Sequence, residues 1–215
     1  MEWTIRQELP ADYAETEALT REAFWNQYAP GCSEHYLLHI LRDSPAFVPE
    51  LDLVAVHQGR VIGNAVCVRG VLHADDGRDV PVLTLGPLSV LPEFQSRGVG
   101  GQLIQAVRER ARELGFPAIL LCGDPAYYVR QGFLPAESLG IRTADNQYLP
   151  ALQVCELTEG ALAGAAGRYC EDAVYSIDEA DVAAFDRQFP PKERVTGTPS
   201  QQRLLEPVAQ ARPAD

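Results

Sequence analysis

The sequence predicts a mixed α/β (α+β) domain in which helices flank a mostly antiparallel central sheet that contains one parallel strand pair. Residues 51–91 contain three β-rich runs separated only by short turns, which is the pattern of an antiparallel meander. The apolar period then becomes helical over 98–114, and a short apolar run follows at 117–122. A strand, a helix and a strand in this order form a right-handed crossover, so strands 82–91 and 118–122 should be parallel.

One strand and two helices are predicted before the meander. Apolar side chains alternate over residues 2–9, which indicates a strand. A proline, an alanine and an aspartate then begin a helical run over residues 10–26. Ser33 is a suitable helix cap, so we expect a second helix over 33–41.

Turn residues divide the meander into its strands. Gln58-Gly59-Arg60 lies between the first two β-rich runs and predicts a hairpin. Another turn at 74–78 leads to the third strand, at 80–91. Gly115 follows the helix 98–114, as a glycine commonly does at a helix C-terminus.

The pattern is weaker after residue 133. We expect one more strand over 147–157 and an acidic amphipathic helix over 178–189. The segment GALAGAAG at 160–167 fits either a flexible or a tightly packed stretch. The chain is therefore divided into three parts: a domain of residues 1–160, a C-terminal extension of residues 161–195 with an acidic helix, and a polar, proline-rich tail of residues 196–215.

The composition narrows the classes of function. The 215 residues carry a formal net charge of −12, which argues against general nucleic-acid binding because such binding needs basic faces that displace counterions. No apolar run reaches the roughly 18 residues of a membrane span, and the first ten residues lack the pattern of a signal peptide. We expect a cytoplasmic protein with no nucleic-acid or membrane partner.

Neither the cysteines nor the histidines form a metal-binding motif. The five cysteines are scattered and contain no Cys-x-x-Cys pair, so they are interpreted as reduced thiols that mostly pack. His35 and His39 have the i, i+4 spacing of helix ligands, but Tyr36 occupies the position at which the catalytic motif has Glu. We expect no metal.

Residues 92–103, PEFQSRGVGGQL, place three glycines immediately before the long helix. Glycine allows a backbone to turn sharply or to approach a ligand closely. The N–H groups and the dipole at a helix N-terminus attract anions. This stretch therefore predicts a phosphate-binding loop.

Two familiar classes of phosphate loop fit this stretch poorly. A P-loop needs Lys and Ser or Thr after its last glycine, and Gln102 and Leu103 follow here. A dinucleotide-binding loop needs a third glycine where Leu103 stands, and the strand before it belongs here to an antiparallel meander.

A third class matches. Residues 95–100, QSRGVG, resemble the Q/R-x-x-G-x-G/A signature of the GNAT superfamily of N-acetyltransferases. LGPLSVLPEFQSRGVGGQLI at 85–104 resembles the fourth strand and pyrophosphate loop of that family, and AYYVRQGF at 126–133 resembles its Tyr-x-x-x-Gly-Phe segment. GDPAYY and the later ELTEGALAG are similar to the YhbS-like branch. The resemblance covers about residues 3–160.

The resemblance implies an acyltransferase with a GNAT-like fold that moves an acetyl group from acetyl-CoA to a primary amine by direct attack. The acceptor would be a small-molecule or peptide amine, and the protein a monomer or homodimer. Tyr128 would protonate the leaving thiolate. The pantetheine arm would pair with the backbone of Leu88, Ser89 and Val90. The pyrophosphate would bind the loop at Gln95, Ser96, Arg97, Gly98, Val99, Gly100 and Gly101.

The chain departs from the family pattern at two places. Leu121 stands where many members have Asn, about seven residues before the tyrosine, so that CoA contact is not assigned. Residues 82–91 contain no carboxylate that could act as a general base, and Glu93, Asp124 or a chain of waters is open for that role. A non-catalytic acyl-CoA-binding or regulatory module is the alternative function. By analogy, residues 26–50 and 138–150 should wall the acceptor pocket.

Overall fold

The structure is a computed structural model that describes residues 2–214, with all of their side chains except that of Leu204. Within this range no helix is long and apolar enough to cross a membrane. The strands are β1 (Thr4–Gln7), β2 (Leu53–His57), β3 (Arg60–Ala74), β4 (Asp79–Val90), β5 (Ala118–Cys122), β6 (Leu134–Pro135), β7 (Ile141–Arg142), β8 (Gln147–Tyr148), β9 (Leu152–Glu156), β10 (Gly167–Cys170) and β11 (Arg212–Pro213). The helices are α1 (Tyr13–Phe24), α2 (Glu34–Leu41), α3 (Val99–Glu113), α4 (Pro125–Tyr128), α5 (Glu179–Asp186) and α6 (Pro199–Ala209).

Nine strands form the central sheet, in the order β1-β2-β3-β4-β5-β9-β6, with β10 paired to β3 and to β7. The pairing is antiparallel along the meander β1 to β4. Strands β4 and β5 are parallel, with Leu83 opposite Ile119 and Thr84 opposite Leu120. The predicted fold class and the crossover through α3 are therefore confirmed.

Helix α3 packs closely on β3 because Gly63 has no side chain. A Cβ at Gly63 would lie only 3.0 Å from Leu103 Cδ1 and 3.1 Å from Val99 Cγ1. Five of the six apolar positions at helical spacing in this segment are buried in the main core, namely Val99, Leu103, Ile104, Val107 and Ala111. The sixth, Leu114, lies at the end of the helix and is exposed. This packing places the N-terminus of α3 beside the carboxyl end of β4.

The structure differs from the sequence analysis in the second half of the chain. The single strand predicted over 147–157 is two strands, β8 and β9. The segment 160–167 is packed at three positions, because Leu162 and Ala165 are buried and a Cβ at Gly167 would lie 2.2 Å from the His73 carbonyl oxygen. Its residues 160, 161, 163 and 164 are exposed.

The predicted acidic helix is present as α5, but the predicted polar tail contains regular structure. Helix α6 begins with a capping box, in which Thr198 accepts from the Gln201 N–H and the Gln201 side chain reaches back. Strand β11 then pairs with β8. A capped helix and a paired strand were missed because the prolines and polar residues of this segment outweighed the local capping signal.

The C-terminal extension is bonded to the first two helices. Arg21, whose side chain is 2% exposed, donates to Asp186 on α5 with a nitrogen–oxygen distance of 2.6 Å. The ring of His35 packs against both Phe185 and Phe189. Asn26, after α1, donates to the Glu193 carbonyl at 3.0 Å. The loop between α1 and α2 is thus held by residues from the end of the chain.

Candidate active site

Strands β4 and β5 separate after two paired positions. Thr84 and Leu120 form the last parallel pair, and β5 continues to Cys122 while β4 continues to Val90. A register shift between β3 and β4 lies at the position where the two parallel strands part, between Ala65 and Cys67. We call the gap beyond Thr84 and Leu120 the β4–β5 opening. Ligands commonly bind at the carboxyl ends of parallel strands, where this opening lies.

The free edge of β4 borders the opening at two of the three predicted pantetheine positions. The Leu91 N–H donates to the Ile62 carbonyl at 3.0 Å, so Leu91 faces β3. Backbone groups alternate along a strand, which turns those of Ser89 toward β3 as well and those of Leu88 and Val90 toward the opening. The Gln95 side-chain amide donates to the Val90 carbonyl at 3.0 Å from that side.

The side chain of Ser89 points away from the opening. It is buried, and its Oγ lies 2.8 Å from the Thr20 Oγ1 on α1. Ser89 therefore joins β4 to α1 in this structure. Leu88 and Val90, of the three predicted pantetheine residues, thus border the opening, whereas Ser89 is turned to the protein interior.

The glycine loop leads into α3 with the geometry of an anion site. Gly98 is the N-cap and has a left-handed backbone with φ of 93°, which glycine adopts without strain. The first helical bond runs from the Gln102 N–H to the Gly98 carbonyl at 3.0 Å. The N–H groups of Val99, Gly100 and Gly101 therefore precede the helical ladder, at the positive end of the helix dipole.

Two glycines of the loop make room for side chains from the segment after β5. A Cβ at Gly100 would lie 2.7 Å from the Tyr127 hydroxyl, and a Cβ at Gly101 would lie 2.9 Å from the Gln131 Oε1. Sequence reasoning explained Gly100 by the approach of a phosphate alone. The structure adds Tyr127, whose hydroxyl borders the start of α3 and which no motif singled out.

A basic cleft of about 490 Å³ continues from Gly101 along α3. Its lining includes three guanidinium groups, from Arg108, Arg112 and Arg130, against one carboxylate, from Glu109. A ligand that carries several phosphates could therefore extend from the start of α3 into a region of positive charge. The net charge of the chain is negative, so this positively charged cleft is a local exception.

Tyr128 is held in a defined position by aromatic neighbours. Its ring contacts those of Tyr127 and Phe133 edge to face, with centroids 5.0 and 5.5 Å apart. The ring also covers Gly123, where a Cβ would lie 2.3 Å from the Tyr128 Cε2. Burial raises the pKa of Tyr128 well above its ordinary value, so the phenol stays protonated and is a weaker acid than a free tyrosine.

The two candidate bases named from the sequence have other partners. Glu93 forms an ion pair with Arg60 at 3.0 Å. The pKa of Glu93 is lowered first by a hydrogen bond from its own backbone N–H and then by the hydrogen bond from Arg60. Asp124 is the N-cap of α4, because its Oδ1 accepts the Ala126 N–H at 2.9 Å. Neither carboxylate is free of structural bonds.

Residues 169–175, after β9, border the opening on the side of β4, and sequence analysis assigned them no role. The hydroxyl of Tyr169 is hydrogen-bonded to the Oγ1 of Thr84. The hydroxyl of Tyr175 donates to the Gly86 carbonyl at 2.8 Å. No motif could identify these residues, because β10 reaches β4 only through the pairing of distant parts of the chain.

The histidines and cysteines do not form a metal site in the described part of the chain, where no group of three or more potential ligands is found. His35 is buried, and its Nδ1 lies 3.3 Å from the Cys32 Sγ. The Nδ1 of His39 instead contacts Glu17 at 2.9 Å. The two histidines of the i, i+4 pair thus have separate partners.

Sequence comparison finds relatives of this chain among acetyltransferases. A profile of the acetyltransferase (GNAT) family matches residues 11–133. The uncharacterized N-acetyltransferase YhbS of Escherichia coli (strain K12) is 32% identical over 164 residues, which are 76% of this chain and 92% of YhbS. The uncharacterized N-acetyltransferase YjhQ of the same strain is 36% identical over 88 residues, which are 40% of this chain and about half, 48%, of YjhQ.

Solved structures with the same fold include two that contain CoA or acetyl-CoA. Escherichia coli YhbS in complex with CoA has a TM-score of 0.73 and 28% identity, and the match covers 82% of this chain and 93% of that one. A GNAT family acetyltransferase from Brucella melitensis in complex with acetyl-CoA has a TM-score of 0.63 and 27% identity, over 81% of this chain and 98% of that one.

Proposed function

Because the chain belongs to the acetyltransferase (GNAT) family, an enzyme family, we propose that it transfers an acetyl group from acetyl-CoA to a primary amine by direct attack. The acceptor is a small-molecule or peptide amine. The observation that carries this proposal is the position of the glycine loop, which presents the N-terminus of α3 beside the β4–β5 opening. Similar proteins that hold CoA or acetyl-CoA in their structures support the choice of co-substrate.

The loop suits the pyrophosphate of acetyl-CoA. Three N–H groups, those of Val99, Gly100 and Gly101, precede the helical ladder and would donate to phosphate oxygens. The other predicted loop residues, Gln95, Ser96, Arg97 and Gly98, shape the approach to the helix. Arg130 in the neighbouring cleft would add positive charge for a further phosphate.

The opening suits the pantetheine arm and the thioester. The backbone groups of Leu88 and Val90 on the free edge of β4 would pair with the arm as another strand would. For Val90 this requires the Gln95 side chain to release the carbonyl that it binds at 3.0 Å. The thioester would then lie between β4 and the end of β5, where an amine could reach it.

Tyr128 would serve the departing sulfur. The C–N bond forms as the C–S bond breaks, and the thiolate that leaves needs a proton. A phenol kept protonated by burial can supply that proton or a hydrogen bond. Because burial also weakens the acid, we place its effect near 10²-fold, the lower end of general-acid catalysis.

Two measurements test the proposal. A thermal unfolding assay compares acetyl-CoA, ATP and NADH, and we expect acetyl-CoA alone to raise the midpoint, since a ligand bound only by the folded state stabilises it. A turnover screen then offers acetyl-CoA with a library of primary amines and follows the release of free thiol. Stabilisation by ATP or NADH instead of acetyl-CoA would contradict the proposal. Binding of acetyl-CoA without turnover on any amine would favour a non-catalytic acyl-CoA-binding module.

A further inference from the structure

The chain segment that contains Glu171 is fixed to β4 on both sides of the point where β4 and β5 part. Strand β10 pairs antiparallel with β3, with Cys170 opposite Val71. Tyr169, two residues before Glu171, is bonded to Thr84, which is the last β4 residue paired with β5. Tyr175, four residues after Glu171, donates to the carbonyl of Gly86. These bonds hold Glu171 at the rim of the β4–β5 opening.

Glu171 reaches solvent, although protein atoms surround part of its carboxyl group. The residue is exposed, yet the protein atoms around the carboxyl group raise its pKa above the ordinary value through burial. The carboxylate interacts electrostatically with the Cys122 thiol at the end of β5 and with the hydroxyls of Tyr169 and Tyr175.

Glu171 differs from the neighbouring carboxylates because no donor occupies it among residues 2–214. Asp172, the next residue, accepts the Val174 N–H at 3.0 Å and caps a short helix. Asp124 caps α4. Glu34, on α2, accepts the Ser33 N–H at 2.9 Å. A carboxylate without a donor, at the place where the acceptor would meet the thioester, is available to take a proton.

We propose that Glu171 is the general base of the reaction and takes a proton from the ammonium group of the acceptor. This inference rests on the proposed function and adds a catalytic residue to it. An amine must be uncharged to attack, and a base near the thioester removes the proton that blocks the nitrogen lone pair. A pKa raised toward neutrality makes a carboxylate a better base than a free glutamate.

The proton balance of the whole reaction is as follows. The ammonium gives one proton to Glu171, and the neutral amine attacks the acetyl carbon. The C–N bond forms, the C–S bond breaks, and the sulfur takes a proton from Tyr128. The second proton lost by the nitrogen returns through solvent to the Tyr128 oxygen, and Glu171 releases its proton to solvent. One ammonium and one acetyl thioester thus give one amide, one thiol and one proton.

The test compares Glu171→Gln with the matched control Glu159→Gln. Glu159 is exposed and lies two residues after Leu157, whose N–H bonds to Pro117 just before β5 begins, opposite the end that carries Cys122. For the best acceptor of the screen, kcat/KM is measured from below neutrality up to the pKa of the amine. Acetyl-CoA affinity and the unfolding midpoint are measured for every variant.

We expect Glu171→Gln to lower kcat/KM at neutral pH by about 10²-fold and Glu159→Gln to leave it unchanged. The deficit should shrink by up to about tenfold per pH unit as the pH rises toward the pKa of the amine, because the free amine then needs no base. Acetyl-CoA affinity should not change. A deficit that stays constant with pH, or the absence of a deficit, would overturn the assignment.

Failure of this inference can be told from failure of the proposed function. If the wild-type protein turns over an amine and Glu171→Gln does so equally well, Glu171 is not the general base, and the proposed acetyltransferase function is unaffected. If the wild-type protein turns over no amine of the library, the proposed function is overturned, and the assignment of Glu171 with it.

Discussion

Replacing Gly123 with alanine should displace the Tyr128 ring without changing the glycine loop or any other group that we assign to chemistry. Gly123 follows β5, and its backbone does not have a positive φ, so an alanine is not strained there by its own conformation. The main obstacle is the ring of Tyr128, whose Cε2 would lie 2.3 Å from the new Cβ, whereas the Leu121 Cδ1 would lie 3.3 Å away. The alanine side chain should therefore push the Tyr128 ring out of its position.

The size of the displacement follows from the distance between the new Cβ and the Tyr128 Cε2. An ordinary contact of this kind begins at 3.4 Å, so the ring must withdraw by about 1 Å, or the strand must shift by that amount. Displacements of about 1 Å at a reacting group can cost about 10²-fold in rate. Overpacking of this kind should also lower the free energy of unfolding by about 1–3 kcal/mol.

The assay is a double-mutant cycle of Gly123→Ala and Tyr128→Phe. It measures turnover at saturating acetyl-CoA, together with acetyl-CoA affinity and the unfolding midpoint. Each single variant should lose about 10²-fold in kcat, with acetyl-CoA affinity nearly unchanged. If the alanine acts by moving the phenol, it should cost little more once the hydroxyl is gone.

Two results would refute this reasoning. Full turnover in Gly123→Ala would show that the position of the Tyr128 ring does not matter for the reaction. Losses that multiply in the double variant would show that the alanine acts on something other than the Tyr128 hydroxyl.

Three further predictions concern single positions. Tyr128→Phe alone keeps the contacts with its aromatic neighbours and should reduce kcat by about 10²-fold at constant acetyl-CoA affinity; equal losses of affinity and unfolding midpoint would instead indicate a structural tyrosine. Gly100→Val should weaken acetyl-CoA binding, measured by calorimetry, more than it lowers the unfolding midpoint. A Cβ at this position would lie only 2.7 Å from the Tyr127 hydroxyl, so the valine should push that hydroxyl into the path of the phosphate. Unchanged affinity would remove this loop from the binding site. Burial lowers the pKa of His35 to about 4 from 6.5, so the unfolded chain binds the proton more readily. Stability should then fall by up to about 1.4 kcal/mol per pH unit as the pH drops from 6.5 toward 4; urea unfolding of wild type and His35→Gln measures this slope, and identical slopes would contradict it.

The sequence was sufficient for the parts of the fold that depend on local patterns. The meander, the crossover and α3 follow from apolar periods and turn residues that lie within a few positions of one another. The loop before α3 could be identified for the same reason, since Gly98, Gly100 and Gly101 precede a helical period directly. Their left-handed and closely packed positions in the structure agree with that choice of residue.

The parts that could not be predicted depend on contacts between distant segments. Tyr127 reaches Gly100 because the segment after β5 crosses the start of α3, and no sequence period encodes that crossing. Glu171 lies at the β4–β5 opening only because β10 pairs with the outer half of β3, about 95 positions earlier in the chain. In both cases the relevant neighbour is fixed by tertiary pairing.

The order of the C-terminal segment has a similar origin. Its polar and proline-rich composition indicated a tail, but Asn26 accepts or donates several hydrogen bonds with residues 193–201. Such bonds replace the apolar contacts by which order is usually recognised in a sequence. An argument from composition therefore underestimates how much regular structure this segment has.

Transfer of an isotopically labelled acetyl group tests the central claim most directly. Labelled acetyl-CoA and the best acceptor of the amine screen are incubated with the protein, and the label is located by mass spectrometry. The account predicts that the label moves to the amine nitrogen at the same rate as thiol is released. In Gly100→Val and in Tyr128→Phe, label transfer and thiol release should be slowed by the same factor. Thiol release with the label found only in acetate, or no release at all with any amine, would contradict it.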